Sequence, residues 1–207
     1  MSKMTRRTFL KIFASFTIIL ESLFSKGRTK NKKRIALCIG HNSRSKGALG
    51  NNNVFEYDFN KKLIEDVLNH VNKKNTYKIF YRPASRSYAY EQDVMRKEIK
   101  QWGNVDYAIE FHFNACDDKS VDGHEVLYLS KQGRDLGLKL KDKFNIYLLN
   151  DDRGVKRTTK RGYGFLRRGR YPSIIAEPFF ASKTSNYEKG LHRDRLITAY
   201  AEFLEEL

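Results

Sequence analysis

Ala108-Ile109-Glu110-Phe111-His112-Phe113-Asn114-Ala115-Cys116 has the apolar, β-rich character of a core strand, and the polar run Asp117-Asp118-Lys119-Ser120 stops it. This reading puts His112 at the strand's C-terminal end. In open α/β sheets ligands bind outside the carboxyl ends of the strands, so a histidine there is a candidate functional residue. Alone, such a histidine is more often a hydrogen-bonded structural residue. Weight comes from other polar residues that reach the same edge by the same logic.

Upstream, Ile35-Ala36-Leu37-Cys38-Ile39 is a short apolar run ended by Gly40, which reads as a buried first strand with His41 directly after it. A Gly-, Asn- and Ser-rich loop from Asn42 to Asn53 follows. Phe59, Leu63, Ile64, Val67, Leu68 and Val71 then recur at three- and four-residue spacing, which predicts a helix over Val54–Val71. Glu56 falls in its first turn and on the apolar face. A first-turn acid meets the helix dipole favourably, but that effect needs no burial, whereas a carboxylate aimed into a core needs a partner. Asp58, on the solvent side, fits the dipole account better.

The remaining chain alternates in the same way. Strands are expected at Tyr77–Tyr81, which runs into Arg82-Pro83, at Gly123–Leu129, and at Pro172–Ala176, capped by Glu177-Pro178. Helices are expected at Tyr90–Trp102, Gly133–Leu148 and Gly190–Leu207. Alternating elements of this kind define an α/β domain: one domain, with a central, mostly parallel or mixed twisted sheet flanked by helices. Arg153 to Arg170 is the most basic stretch, with Tyr163, Phe165 and Tyr171 interleaved. It suits a nucleic-acid groove, a cleft for an anionic glycopeptide, or a solvated loop.

With 207 residues the chain holds one substantial core, and 40% hydrophobic content argues against disorder. A formal charge of +16 implies an acidic partner. Charge does not choose among nucleic acid, an anionic membrane and an anionic wall polymer. Cys38 and Cys116 are too few for a disulfide framework and lack metal spacing. They read as two buried free thiols, or as one disulfide if the chain is exported.

Export is what the N-terminus suggests. Met1 to Lys11 carries Lys3, Arg6, Arg7 and Lys11 with no acid, then runs into an apolar stretch from Ile12 to Phe24 broken by Glu21. That is the layout of a signal peptide, and Thr5-Arg6-Arg7-Thr8-Phe9-Leu10-Lys11 resembles the twin-arginine export motif. Residues 1–25 are thus a twin-arginine signal peptide or an uncleaved N-terminal anchor, 26–33 a basic tether, and 34–207 the folded domain. Loss of residues 1–25 leaves +13, so the basic character belongs to the domain.

Two histidines and one carboxylate are a recurrent catalytic zinc set with a fourth position open to water, and His41, Glu56 and His112 supply it. A further carboxylate, outside the coordination shell, must take and return a proton, and Glu177 is placed for that. Glu110, on the same strand face as His112, is a candidate to support that histidine from behind. His124 and Glu125 are alternative ligands.

The order Ile39-Gly40-His41, Phe55-Glu56-Tyr57-Asp58, Phe111-His112-Phe113-Asn114-Ala115 and Pro172-Ser173-Ile174-Ile175-Ala176-Glu177-Pro178-Phe179-Phe180 resembles the zinc-dependent N-acetylmuramoyl-L-alanine amidases, the third amidase family of bacterial cell-wall hydrolases. The resemblance covers Arg34 to Leu207. It implies a phosphorylase/hydrolase-like α/β fold, one catalytic Zn2+ on His41, Glu56 and His112, Glu177 as the catalytic carboxylate, and Arg82 and Asn114 as substrate-binding residues. It also implies a peptidoglycan-cleaving monomer in the periplasm or cell envelope, with no nucleic-acid partner and membrane contact only through an uncleaved N-terminal segment. Departures are Asn42-Ser43-Arg44 in place of a glycine-rich run, Glu110 where a small hydroxyl residue is common, and Lys183 where an asparagine is common. These bear on substrate fit more than on metal binding. No inhibitory helix between the Val126 strand and the last strand is expected, because that region is short. A catalytically idle wall-binding or regulatory homologue would lack a ligand or Glu177, and a basic nucleic-acid-binding protein is supported by charge alone.

Overall fold

Ile35 to Ile39 has no exposure at any of its five residues, and a strand is closed off on both faces only when helices cover each side of its sheet. The computed structural model describes residues 32–207 except 51–52, 73, 86, 168 and 184–190; the leader or anchor read at 1–25 and most of the tether lie outside these. Lys33, read as the end of the tether, is already bonded to the domain: its amide donates to Asn75 Oδ1 at 3.2 Å and its ammonium meets Asp106 at 3.2 Å.

The elements run β1 Arg34–Ile39, α1 Glu56–His70, β2 Thr76–Tyr81, α2 Tyr88–Trp102, β3 Tyr107–Phe111, β4 His124–Tyr128, α3 Lys131–Tyr147, β5 Asp152–Arg157, the one-turn α4 Tyr163–Leu166, β6 Ser173–Glu177 and α5 Leu191–Glu206. The six strands form one sheet in the order β2-β1-β3-β6-β4-β5. All neighbours are parallel except β4 and β6, which run antiparallel. The carboxyl ends of β1, β3 and β6 therefore share one edge with the amino end of β4.

Alternation along the strands sorts the core into two layers. Ile35, Leu37, Ile39, Ile109, Phe111 and Ile174 face α1, α3 and α5, where Leu63, Ile64, Leu140, Phe144, Tyr200 and Phe203 are buried. Ala36, Cys38, Ala108, Leu127 and Ile175 face Met95 and Ile99 of α2 and Phe165 and Leu166 of α4. By the same parity Glu110, Glu125 and Glu177 lie on this second face.

Three expectations need correction. Part of the stretch read as a loop or cleft from Arg153 is the edge strand β5, with a register shift opposite His124/Val126 and Gly154 at φ +85. The strand quoted first ends at Phe111, so His112 stands just beyond the ladder, its amide still bonded to the Ala176 carbonyl at 3.0 Å. Both cysteines are free, but only Cys38 is buried; Cys116 is partly exposed and its thiol donates to the Asp118 carbonyl at 3.0 Å.

Candidate active site

β1 ends in a sharp turn at His41, whose φ of 65° is a left-handed value uncommon for a residue with a side chain. Asn42 is buried and shapes the next turn: its Oδ1 accepts from the amides of Arg44 at 3.0 Å and Ser45 at 2.7 Å. The loop then brings Gly47, at φ +78, against His41 and Glu56. A Cβ there would lie 2.5 Å from His41 Cδ2 and 2.6 Å from Glu56 Oε2. Gly40 likewise clears space for the His112 ring, with only 2.5 Å between a hypothetical Cβ and Nε2.

Glu56 opens α1 and is buried. Its Oε1 lies 2.7 Å from His112 Nδ1 and accepts from the Phe113 amide at 3.1 Å; its Oε2 lies 3.0 Å from His41 Nε2 and accepts from the Ala48 amide at 3.2 Å. Burial pushes this carboxyl up, but the bonds to His112 and His41 outweigh it and bring it down to about 2. Burial also pushes the His112 imidazole down, and the carboxylates of Glu110 and Glu56 reverse that, raising it to about 10. One buried carboxylate thus bridges the two imidazoles, one on each of its oxygens, and a proton held among converging ligands is what a bound cation replaces. Ligand atoms of His41, Glu56 and His112 all lie within 4.8 Å of one another, the one such group among the described residues. Two imidazoles and a carboxylate fit zinc. Asp58, by contrast, faces outward and pairs with Lys46 at 2.8 Å.

Glu177 ends β6 on the same edge and is 5% exposed. Burial pushes its carboxyl up, and the neighbouring Glu125 adds to this against the opposing charges of Arg161 and His112, leaving it at about 7. A carboxyl poised near neutrality is suited to both accepting and returning a proton. Asn114 Nδ2 donates to Glu177 Oε2 at 2.6 Å and to Glu125 Oε1 at 3.1 Å, so the amide read as substrate-binding is occupied in holding two carboxylates. Arg82 is buried, paired with Glu91 at 3.1 Å and 5.0 Å from the Tyr88 ring centre. Glu91 in turn accepts from Asn42 Nδ2 at 3.0 Å, so Arg82 meets the support of the His41 loop rather than the metal group.

His124 is not in the cluster. Its ring nitrogens meet Asn150 Oδ1 at 2.8 Å and Asn145 Oδ1 at 2.9 Å inside the fold. Glu125 is not in it either, but it is the residue that sequence reasoning undervalued. It pairs across the antiparallel ladder with Glu177 and is 2% exposed. Burial pushes its carboxyl up, and Lys156 and Arg161 bring it down to about 2. A glutamate inside the apolar strand His124–Tyr128, followed by a run of cations, was the available signal.

A mixed α/β sheet that gathers a His-Glu-His group and a buried glutamate on one edge has the residues of a hydrolase active site. The sequence profile of the N-acetylmuramoyl-L-alanine amidase family matches residues 35–203, and the chain belongs to that family. It is an N-acetylmuramoyl-L-alanine amidase by class. Among solved structures it is similar to the catalytic domain of the amidase CwlV from Bacillus (Paenibacillus) polymyxa var. colistinus, at 16% identity and TM-score 0.71, covering 84% of this chain and 97% of that one. The catalytic domain of the CD27L endolysin, which targets Clostridia difficile, gives 22% identity and TM-score 0.72 over 84% and 97%. The amidase AmiC2 of Nostoc punctiforme gives 18% and 0.67 over 85% and 97%. These similarities establish the fold. No curated protein matches the sequence.

Proposed function

We propose that this chain is an exported, zinc-dependent amidase that hydrolyses the bond between N-acetylmuramic acid and L-alanine in peptidoglycan. The observation that carries the reading is the convergence of His41, Glu56 and His112 ligand atoms within 4.8 Å beside a buried Glu177. Zinc, when bound there, supplies a Lewis acid that polarises the amide carbonyl and lowers the pKa of water towards about 7. The chain's own residues do the rest. Glu177 takes the proton of the attacking water and returns it to the departing L-alanine amine, and Asn114 orients it. Glu110 fixes the ring of His112, and Arg82, through Glu91 and Asn42, holds the loop that carries His41.

Export by the twin-arginine route to the periplasm or cell envelope follows from the motif at Thr5–Lys11. The fitting substrate is peptidoglycan, and the working unit a monomer. Zinc analysis of the purified protein, with mass spectrometry of digested peptidoglycan, tests the reading. One zinc per chain and release of stem peptides that begin with L-alanine are expected; full activity in a zinc-free preparation would overturn it.

A further inference from the structure

The basic stretch that begins at Arg153 has no part in the reaction outlined above, yet three of its cations converge on one internal target. Arg153 Nε lies 3.2 Å from Glu125 Oε2, Lys156 Nζ 2.6 Å from the same oxygen, and the Arg161 guanidinium bonds Oε1. One buried carboxylate needs a partner to stay charged, and a single cation would supply that. Three make Glu125 a fixed anion from which other groups can be hung.

Two donors are hung from it. Arg161 reaches on from Glu125 to Glu177 Oε2 at 3.0 Å, and Asn114 Nδ2 spans the same two carboxylates. Both bond Oε1 of Glu125 and Oε2 of Glu177. Glu177 Oε1 is thus the oxygen they leave for proton exchange. The donors differ in how they are secured. Asn114 is bound into the chain, its amide bonded to the Phe179 carbonyl at 2.9 Å and its carbonyl to the Ala181 amide at 2.9 Å. The Arg161 side chain comes from an exposed turn and is itself 52% exposed, so its place over Glu177 depends on the Glu125 anchor. Both contacts come from one guanidinium nitrogen, Nη2, so a single point on Arg161 ties Glu177 to Glu125.

We propose that Glu125 is a positioning residue for the amidase reaction, acting through Arg161 to hold the Glu177 side chain in the orientation that proton transfer needs. This rests on the assignment of Glu177 as the proton-transfer group. Glu125 touches neither the metal group nor, in this account, the substrate. Its removal should therefore lower turnover while leaving zinc and substrate binding in place.

The test uses the full-length zinc-loaded protein and a soluble muramoyl-peptide. kcat, KM and zinc content are measured for Glu125→Gln, Arg161→Ala, the double variant and Glu177→Gln. Misplacing a reacting group by a fraction of an ångström to one ångström costs up to about 100-fold, so each single variant should lose about 10- to 100-fold in kcat with KM changed by less than about threefold. Because one residue acts through the other, the double variant should be no slower than the slower single one. Arg161→Ala replaces a half-exposed side chain and will fold, so it decides the matter if Glu125→Gln does not. Unchanged kcat in Arg161→Ala, losses that multiply in the double variant, or zinc loss in Glu125→Gln would each overturn the proposal. If instead Glu177→Gln turns over normally, the assignment of Glu177 itself has failed, and the positioning role falls with it.

Discussion

Glu110 Oε2 stands 3.5 Å from Nε2 of His112, while Oε1 of Glu56 lies 2.7 Å from Nδ1 of the same ring. Glu110 therefore stands behind the imidazole, and Nδ1, which faces Glu56, is the nitrogen that would take a metal. Such outer partners typically contribute about 10- to 100-fold in metal affinity. Glu110→Ala is expected to weaken zinc binding by that amount in a chelator competition. Glu110→Gln keeps an oxygen acceptor and should lose less, with turnover of the loaded enzyme little changed. Equal zinc affinity in wild type and Glu110→Ala would show that the 3.5 Å approach carries no energy.

The three converging side chains should depend on one another for the metal. His41→Ala, Glu56→Ala and His112→Ala are each expected to lower zinc occupancy on purification, and a chelator should inactivate the wild type reversibly. Metal content by elemental analysis reads both. A variant that keeps full zinc removes its residue from the ligand set.

Gly47 and Gly154 offer a controlled comparison, because both have φ in the left-handed region, +78° and +85°. A Cβ at Gly154 would meet nothing within 4 Å, whereas one at Gly47 would collide with His41 and Glu56. Gly154→Ala should cost only backbone strain, about 1 kcal/mol, and leave zinc affinity untouched. Gly47→Ala should cost more and also displace two ligands. Melting temperature and zinc titration on the two variants separate strain from collision; matching zinc affinities would mean the loop moves aside freely.

What the chain announced in advance is what repeats locally. The fully apolar β1, the three-and-four spacing of α1 and the switch between strand and helix periods made the fold legible, and His41, Glu56, His112 and Glu177 followed from element ends. β5 was not legible, since Asp152-Arg153-Gly154-Val155-Lys156-Arg157 has one apolar side chain and the charged, glycine-interrupted look of an edge strand. Pairings across long separations were hidden too. Nothing in the order of residues says that Arg82 meets Glu91, or that Glu125 lies opposite Glu177 in an antiparallel register.

Export is tested apart from catalysis. The twin-arginine pathway reads the arginine pair itself, so Arg6→Lys with Arg7→Lys should strand the protein in the cytoplasm despite unchanged charge. Cell fractionation with an antibody to the domain measures this. Unchanged envelope yield would point to the general secretion route or to an anchor.

Glu177 should show a conflict between stability and function. Its carboxyl sits at about 7 in the metal-free fold, against 4.5 for an ordinary glutamate, because it is buried and faces Glu125. Between those values the folded protein binds the proton more tightly than the unfolded chain, so this group's contribution to stability falls as pH rises from about 4.5 to about 7. Below that window the side chain is neutral in both states and costs nothing by this route; above it the buried charge opposes folding in full. Glu177→Gln keeps the shape and an oxygen for Asn114 and Arg161 but carries no charge. The metal-free variant should therefore melt close to wild type near pH 4.5 and several degrees above it at pH 8. Zinc should still bind, since Glu177 is not among the converging ligands, while turnover falls by about 10²–10⁴-fold for want of a group to move the proton. Melting curves at the two pH values, zinc content and stem-peptide release are to be measured on one preparation. If the variant loses its zinc, Glu177 belongs to the metal; if it keeps its turnover, the proton travels through another group.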